Sequence, residues 1–323
     1  MTEQTKKPQN KIRIVGYLKE NSLELITNSR GDSVVRGALV VATDEINSHK
    51  IQFYVAEKTK AGEPSKDYAE LVKLLPESTV TVASYLETDP SADFQTAANA
   101  ATKVWAMARF DEYAKIKDGK EVSSVVMKGF RAGLKTAADK TPFAPVAEFT
   151  VDAYIDTITD EVGDTGRLIL ETYLPRYDKS VQKIVFIAPA EDGIASYVKG
   201  HYAPHDTVML TGDIISIQQR KLVEETAPGA FFGRALEPQY ETTFVRERLI
   251  RGGSATPIHQ GEPGCISDAD VKSGLVMRKM TIDGNTAKDG SASFSSAPKS
   301  GFRDPAPKGK ATTAGFSAAD VDF

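Results

Sequence analysis

Apolar and polar residues alternate along much of the chain, and this alternation predicts β-strands. The longer runs cover 11–18, 33–43, 50–56, 103–115 and 121–131, then 149–158, 167–177, 183–188, 206–219 and 240–250, with a shorter run at 78–82. Asp118 and Gly119 stand between two alternating runs, which is a strong hairpin signal. The pattern therefore predicts a protein built mainly from β-strands and turns.

Helical spacing interrupts the alternation at two places. Apolar residues recur every three to four positions from Tyr68 to Leu75, with Ser65 as a candidate N-cap and Pro76 beyond the end. A second short helix is predicted around Ile194. Each helix falls between the third and fourth long strands of its half of the chain.

The order of three strands, a helix and two strands occurs twice, which indicates an internal duplication. Pro76 to Val80 and Pro204 to Val208 share Pro, Thr and Val at matching places. Five strands with this helix placement are the plan of the OB-fold barrel. We therefore predict an all-β fold with short helices, formed by two tandem OB-fold five-stranded barrels and a disordered C-terminal tail. The expected segments are a disordered 1–10, barrels at 11–140 and 146–255, an extension at 256–282 and a disordered linker at 283–323.

One hairpin and the chain end carry a family resemblance. The segment YAKIKDGKEVSSVV, from Tyr113 to Val126, resembles the hairpin of the fourth and fifth strands in bacterial single-stranded-DNA-binding proteins. A polar linker with a terminal acidic and aromatic tip is also similar to that family. Two barrels in one chain and a thinner acidic tip look more like a bacteriophage replication protein of this type. The resemblance implies binding of single-stranded DNA in replication, recombination or repair.

Charge, cysteine content and the length of the apolar runs bear on the partner and the compartment, but they do not decide the function. The net charge of −4 and the pI near 5.7 count mildly against nucleic acid, although clustering of Lys and Arg matters more than the sum. A single cysteine, Cys265, excludes an internal disulfide and fits a reducing compartment. No apolar run approaches the roughly 18 residues of a membrane span, so we expect no membrane contact and a cytoplasmic location, in the host cell if the protein is viral.

The run at 103–115 predicts the binding face. One side of this strand carries rings and cations, while the other carries Val, Ala and Phe suited to a barrel interior. An outward Trp105 beside positive charges is the composition of a surface that stacks bases and neutralises phosphates. The alternative is that Trp105 fills a gap between the barrels. The candidate nucleic-acid-binding residues of this barrel are Lys103, Trp105, Arg109, Tyr113, Lys115, Lys117, Lys120, Lys128 and Arg131.

In the second barrel the residue pattern predicts a weaker copy of this face. An ordinary solvated sheet face explains the same pattern equally well. Its candidates are Arg167, Tyr173, Tyr177, Tyr240, Phe244, Arg246 and Arg248. In the first barrel Phe130 has the parity of Val122 and Val126, and the pattern therefore predicts a core position for it.

The acidic tip suits a basic-rimmed apolar pocket on a replication or repair protein, through Asp320, Asp322 and Phe323. No catalytic constellation, metal site or cofactor is predicted, and His201 and His205 are expected to be surface or turn residues. Besides non-enzymatic single-stranded-DNA binding, two functions stay open. One is a viral structural or assembly protein whose β domains make protein contacts, and the other is RNA binding. A homo-oligomer also remains open.

Overall fold

The computed structural model describes residues 8–59, 61–136, 138–222 and 240–292. The chain divides into two compact units, Met1–Thr286 and Ala287–Phe323, and all the described strands belong to the first unit. The ends of the predicted disordered segments, 1–7 and 293–323, lie outside the described residues. The proposed partner-binding residues Asp320, Asp322 and Phe323 therefore lie outside them as well.

The first half of the chain closes into a five-stranded barrel with one added short strand. β1 pairs with β3 and β5, β3 with β4, and β5 with β6, all antiparallel, and a parallel pairing of β4 with β6 closes the ring. β2 adds to the free edge of β3. The strands are β1 Asn10–Asn21, β2 Glu24–Thr27, β3 Ser33–Ala42, β4 Ser48–Ala56, β5 Lys103–Lys117 and β6 Lys120–Leu134.

The second half repeats this connectivity. β7 pairs with β8 and β10, β8 with β9, and β10 with β11, and a parallel bridge from β11 to β9 closes the ring. The strands are β7 Val146–Asp160, β8 Leu168–Pro175, β9 Val181–Ala188, β10 Thr207–Leu222 and β11 Tyr240–Gly253. Both halves thus have the strand order of an OB-fold barrel, and the predicted fold class is confirmed.

The two barrels share a sheet and a core. The N-terminal half of β1 pairs antiparallel with the N-terminal half of β7, from Asn10 opposite Val151 to Val15 opposite Val146. Phe110 of β5 reaches the second barrel, where its ring centroid lies 5.9 Å from that of Phe149 and 6.0 Å from that of Phe186. The buried apolar residues of both barrels consequently form one continuous cluster.

The helices are α1 Lys66–Val72, α2 Val82–Thr88, α3 Phe94–Ala100, α4 Ile194–His201 and α5 Asp268–Ala292. The prediction for α1 is confirmed, because the Ser65 hydroxyl accepts the Tyr68 amide at 3.2 Å as an N-cap. The strand predicted at 78–82 is wrong. Thr81 and Ser84 form a capping box, with bonds of 3.0 and 3.1 Å between side chain and amide, and this starts α2 at Val82.

Sequence patterning missed helix α5, which follows the second barrel and continues past the predicted boundary at 283. Its residues Val271 and Leu275 pack against Tyr154 and Tyr173 of the second barrel. Arg278 of the same helix reaches Glu112 on β5 of the first barrel. Among the described residues, no helix combines the length and the apolar character required to cross a bilayer.

A buried ion pair fixes α5 where the two barrels meet. The guanidinium of Arg278 donates to both carboxylate oxygens of Glu112 at 2.6 and 3.0 Å, and it also contacts Glu121. Glu112 lies on β5 and additionally accepts the amide of Lys183 from the second barrel at 2.9 Å. The Glu112 carboxylate raises the pKa of Arg278 and keeps it charged. One carboxylate therefore joins β5, β9 and α5.

Candidate nucleic-acid interface

The outward side of β5 is the centre of the candidate interface. The even-numbered residues of this strand from Val104 to Ala114, most of them apolar, are buried. The odd-numbered residues are half-buried or exposed along the whole strand. This is the orientation that the alternation predicts. The outward set is Lys103, Trp105, Met107, Arg109, Asp111, Tyr113 and Lys115.

Trp105 is half-buried on this outward side and lies across the neighbouring strand rather than inside the barrel. Its partner in β6 is Gly133, and a Cβ added there would stand 3.0 Å from the indole. The Arg131 guanidinium lies over the ring, 5.7 Å from its centroid. Arg131 also pairs with Asp67 of α1, at 3.1 Å between Nε and Oδ1. A glycine therefore provides the space in which the indole lies, and a cation stands beside it.

Further rings extend this surface over three adjacent strands. Tyr113 is 43% exposed on β5, Phe130 is 44% exposed on β6, and Tyr54 is 62% exposed on β4. Tyr54 and Phe130 each follow the paired residues Phe53 and Gly129, so they stand side by side across β4 and β6. The rings lie on the outer surface of one barrel, where bases can reach them.

The core position predicted for Phe130 is wrong. A β-bulge in the β5–β6 ladder pairs Met107 with Arg131 and Ala108 with Gly129, which leaves Phe130 as the extra residue. Before the bulge, Val125 and Met127 pack against the core and the even-numbered residues face outward. Phe130 is even-numbered and faces outward with Val122 and Val126, so the prediction was wrong because it assigned those two valines to the core.

The cations of the first barrel have different environments. Arg109 and Lys120 are exposed, and no ion pair to either is found among the described residues. Lys128 pairs with Asp111 on the same face, and Lys103 lies 4.9 Å from the ring centroid of Phe143. The remaining predicted cations, Lys115 and Lys117, lie near and in the hairpin at the end of β5, and each interacts with other groups of the chain.

Exposed rings with interspersed cations can stack unpaired bases and neutralise the phosphates between them. A family model named YorF matches residues 8–263, which span both barrels. The chain belongs to the YorF family. A comparison with curated protein sequences gave no match.

Two solved structures overlap with this YorF-family chain at low identity. A deletion variant of the single-stranded DNA binding protein from Thermus aquaticus has a TM-score of 0.45 and 10% identity, covering 80% of this chain and 98% of the other. The wild-type protein from Thermus aquaticus has a TM-score of 0.40 and 12% identity, covering 71% of this chain and 98% of the other. The fold of the YorF-family chain is established by its own strand pairings.

The second barrel places three of its predicted residues in different surroundings. Arg167 lies between Glu161 and Glu247, at 3.4 and 2.9 Å, so its charge is balanced within the chain. Tyr173 packs against α5, and burial raises the pKa of its hydroxyl to about 12. Tyr177 is 91% exposed in the turn after β8. These three residues do not form one face.

On β11, Phe244 and Arg246 form an exposed pair, with the guanidinium 5.5 Å from the ring centroid. Arg248 is turned inward, 5.3 Å from the centroid of Phe110, and burial lowers its pKa to about 10. Tyr240 begins β11, and its side chain lies outside the described residues. Arg248 is thus turned inward, whereas Phe244 and Arg246, which share its strand parity, are exposed.

Two residues of the outer surface were missed by sequence reasoning. Lys50 and Tyr54 are exposed on β4 and alternate with the buried His49, Ile51 and Phe53. This alternation is visible in the sequence and could have identified both. The sequence could not show that they lie beside β6, because this position depends on the parallel pairing that closes the barrel.

His201 and His205, which are expected to be surface or turn residues, contact other side chains of the second barrel. His205 contacts the Tyr154 hydroxyl and lies 3.2 Å from Oδ1 of Asp268, whereas His201 stacks on Tyr197 with ring centroids 4.1 Å apart. Within the part of the chain that the structure describes, no group of three or more His, Cys, Asp and Glu is arranged to hold a metal ion.

Proposed function

We propose that this chain is a non-enzymatic protein that binds single-stranded DNA without sequence preference. The observation that supports this function best is the outer face of β4, β6 and β5, which combines Trp105, Tyr113, Phe130 and Tyr54 with several cations. Every base offers a π-face, so stacking on these rings is tolerant of sequence. Duplex DNA hides its base faces and suits this surface poorly.

Binding on this face combines two terms. Each base stacked on a ring contributes about 1 to 3 kcal/mol, as judged by truncation of the ring. Each cation that neutralises a phosphate releases a counterion, so the affinity falls as salt rises. If Arg109, Lys120, Lys128 and Arg131 each contact one phosphate, the logarithm of the affinity should fall with the logarithm of salt at a slope of about −3.

The biological setting extends this proposal. Two OB-fold barrels with a polar tail and an acidic, aromatic tip fit a protein of phage DNA replication, recombination or repair, located in the host cytoplasm. The tip residues Asp320, Asp322 and Phe323 would bind a replication or repair protein through an apolar pocket with a basic rim. A pull-down with the intact chain and with a chain ending at residue 319 tests this role.

Fluorescence of Trp105 provides the direct test of binding, because it is the sole tryptophan of the chain. Titration with oligo-dT should quench its emission, and the midpoint should move to higher concentration as salt increases. Single-stranded DNA, duplex DNA and RNA of matched length are compared in the same assay. Binding that is insensitive to salt, or no binding to any nucleic acid, would argue for the alternative of a structural or assembly protein.

A further inference from the structure

The two barrels are repeats that can be aligned by their β-bulges. β1 and β7 each carry one extra residue, Lys19 between Leu18 and Glu20 and Asp156 between Ile155 and Thr157. The β5–β6 and β10–β11 ladders carry the next bulge, after Met107 and after Thr211. Bulges in both ladders coincide, so equivalent outward positions of the barrels can be identified residue by residue.

The rings of the first barrel are not repeated. Trp105 lies two residues before the bulge in β5, and the equivalent residue of β10 is Met209. Tyr113, six residues after Met107, corresponds to Ile217, six residues after Thr211. Gly133, over which the indole lies, corresponds to Ser254, whose side chain accepts the Met209 amide. The second barrel therefore has neither the stacking rings nor the space for an indole at these positions.

Two cationic positions of the first face are acidic in the second barrel. Arg109 of β5 corresponds to Asp213 of β10, and Lys11 of β1 corresponds to Glu148 of β7. Asp213 and Glu148 stand opposite each other in the β7–β10 ladder, so the two acids are neighbours. Each acid is paired with an arginine, Asp213 with Arg251 at 2.9 Å and Glu148 with Arg13 at 2.8 Å. The exposed cation Arg109 therefore has no counterpart at this place of the second barrel.

The exposed pair Phe244 and Arg246 lies on the other side of β11. By the same alignment, Arg246 and Arg248 correspond to Val125 and Met127 of β6, which pack against the core of the first barrel. Phe244, Arg246 and Arg248 lie on the same side of β11 as the buried Ile250, because all four are even-numbered. The pair cannot continue the outer face of the first barrel.

We propose that nucleic acid binds to the first barrel alone, so that each chain provides one stacking face and the second barrel supports it. This inference rests on the proposed function. A single OB fold covers about 4 to 16 nucleotides, and the chain should take up oligonucleotides of that length rather than twice as much.

Matched variants at aligned positions test the inference, with labelled oligo-dT followed by fluorescence anisotropy and folding checked by circular dichroism. Trp105→Ala should weaken binding about 10-fold or more, in line with the loss of one stacking ring. Met209→Ala and the double variant Phe244→Ala with Arg246→Ala should each stay within about 2-fold of the wild type, because they lie off the face. With oligo-dT of about 8, 16 and 32 nucleotides, the affinity should level off by about 16, and the longest should accept two chains.

The outcomes separate the inference from the function. If the wild type binds and the second-barrel variants weaken it as much as Trp105→Ala does, binding extends over both barrels and the inference is overturned while the function stands. One chain covering well over about 16 nucleotides would have the same meaning. If the wild type binds no nucleic acid, both the function and the inference fail.

Discussion

The guanidinium of Arg131 lies over the indole of Trp105, 5.7 Å from the ring centroid, while its Nε lies 3.1 Å from the Asp67 carboxylate. Arg131 therefore interacts with a ring and an acid at once. A base that stacks on the indole competes with the guanidinium for the ring. A phosphate beside that base competes with Asp67 for the cation, so Asp67 should oppose binding.

Replacement of Asp67 by Asn should therefore strengthen binding. We expect a gain of about 2- to 5-fold in affinity for oligo-dT, in line with the small energy of an exposed ion pair. The matched control is Glu70→Gln on the same helix, where Glu70 pairs with Lys73 at 2.7 Å and no ring is involved. Equal gains in the two variants would show that only the overall charge matters.

Gly133→Ala should disturb the indole without disturbing the fold. The new Cβ would stand 3.0 Å from Cζ2 and Nε1 of Trp105, closer than ordinary contacts, so the ring must shift. We expect a change in Trp105 emission and an affinity for oligo-dT that falls by about 3-fold or more, as stacking becomes poorer. Gly200→Ala in α4, where a Cβ meets open space, is the control. Unchanged emission and affinity would contradict the described packing.

Loss of Arg278 should destabilise the whole first unit. The side chain of Glu112 is 2% exposed, so Arg278→Met leaves a buried carboxylate without its main partner. We expect a loss of about 3 to 5 kcal/mol in the free energy of unfolding, measured by chemical denaturation. Arg251→Ala removes an exposed pair with Asp213 and should cost about 0 to 1 kcal/mol.

The double variant Glu112→Gln with Arg278→Met distinguishes charge from packing. It removes the buried charge together with its partner, so it should be more stable than Arg278→Met alone. If the double variant is as unstable as the single one, the loss comes from the packing of α5 rather than from the buried carboxylate.

His49 should make the fold sensitive to mild acid. It is fully buried on β4, and burial lowers its pKa from 6.5 to about 4. Between these values the unfolded chain binds a proton that the folded chain does not. Stability is therefore greatest above pH 6.5 and falls as the pH decreases toward 4. From pH 7 to pH 5 this group should cost about 2 kcal/mol.

The measurement compares urea denaturation of the wild type and of His49→Gln at both pH values. Gln cannot be protonated here, so the difference in stability between wild type and variant should shift by about 2 kcal/mol from pH 7 to pH 5. A parallel decrease in both proteins would assign the acid sensitivity to other groups.

Local patterns predicted the features that depend on neighbours in sequence. The alternation along β5 gave the outward orientation of Trp105, and the Asp118–Gly119 turn, with φ of 52° and 74°, has the left-handed geometry that a tight hairpin requires. The N-cap of α1 at Ser65 followed from its hydroxyl and the helical spacing behind it. In each case the residues that decide the structure lie within a few positions of each other.

Features that depend on distant partners were missed or assigned wrongly. Phe130 was assigned to the core together with Val122 and Val126, whereas the pairing of Val126 with Asp111 of β5 places these even-numbered residues on the outer side. Helix α5 is held by Arg278 on Glu112, two residues that are far apart in the chain. The resemblance of the barrels likewise concealed that Arg109 and Asp213 occupy equivalent positions with opposite charge.

The seam of β1 and β7 has a consequence for any attempt to divide the chain. Along Asn10 to Val15 the backbone groups on one edge of β1 are occupied by the other barrel. A first barrel produced alone would present that edge to solvent as an open template for another strand. Separated halves should therefore self-associate through this edge, whereas the intact chain keeps it internally paired.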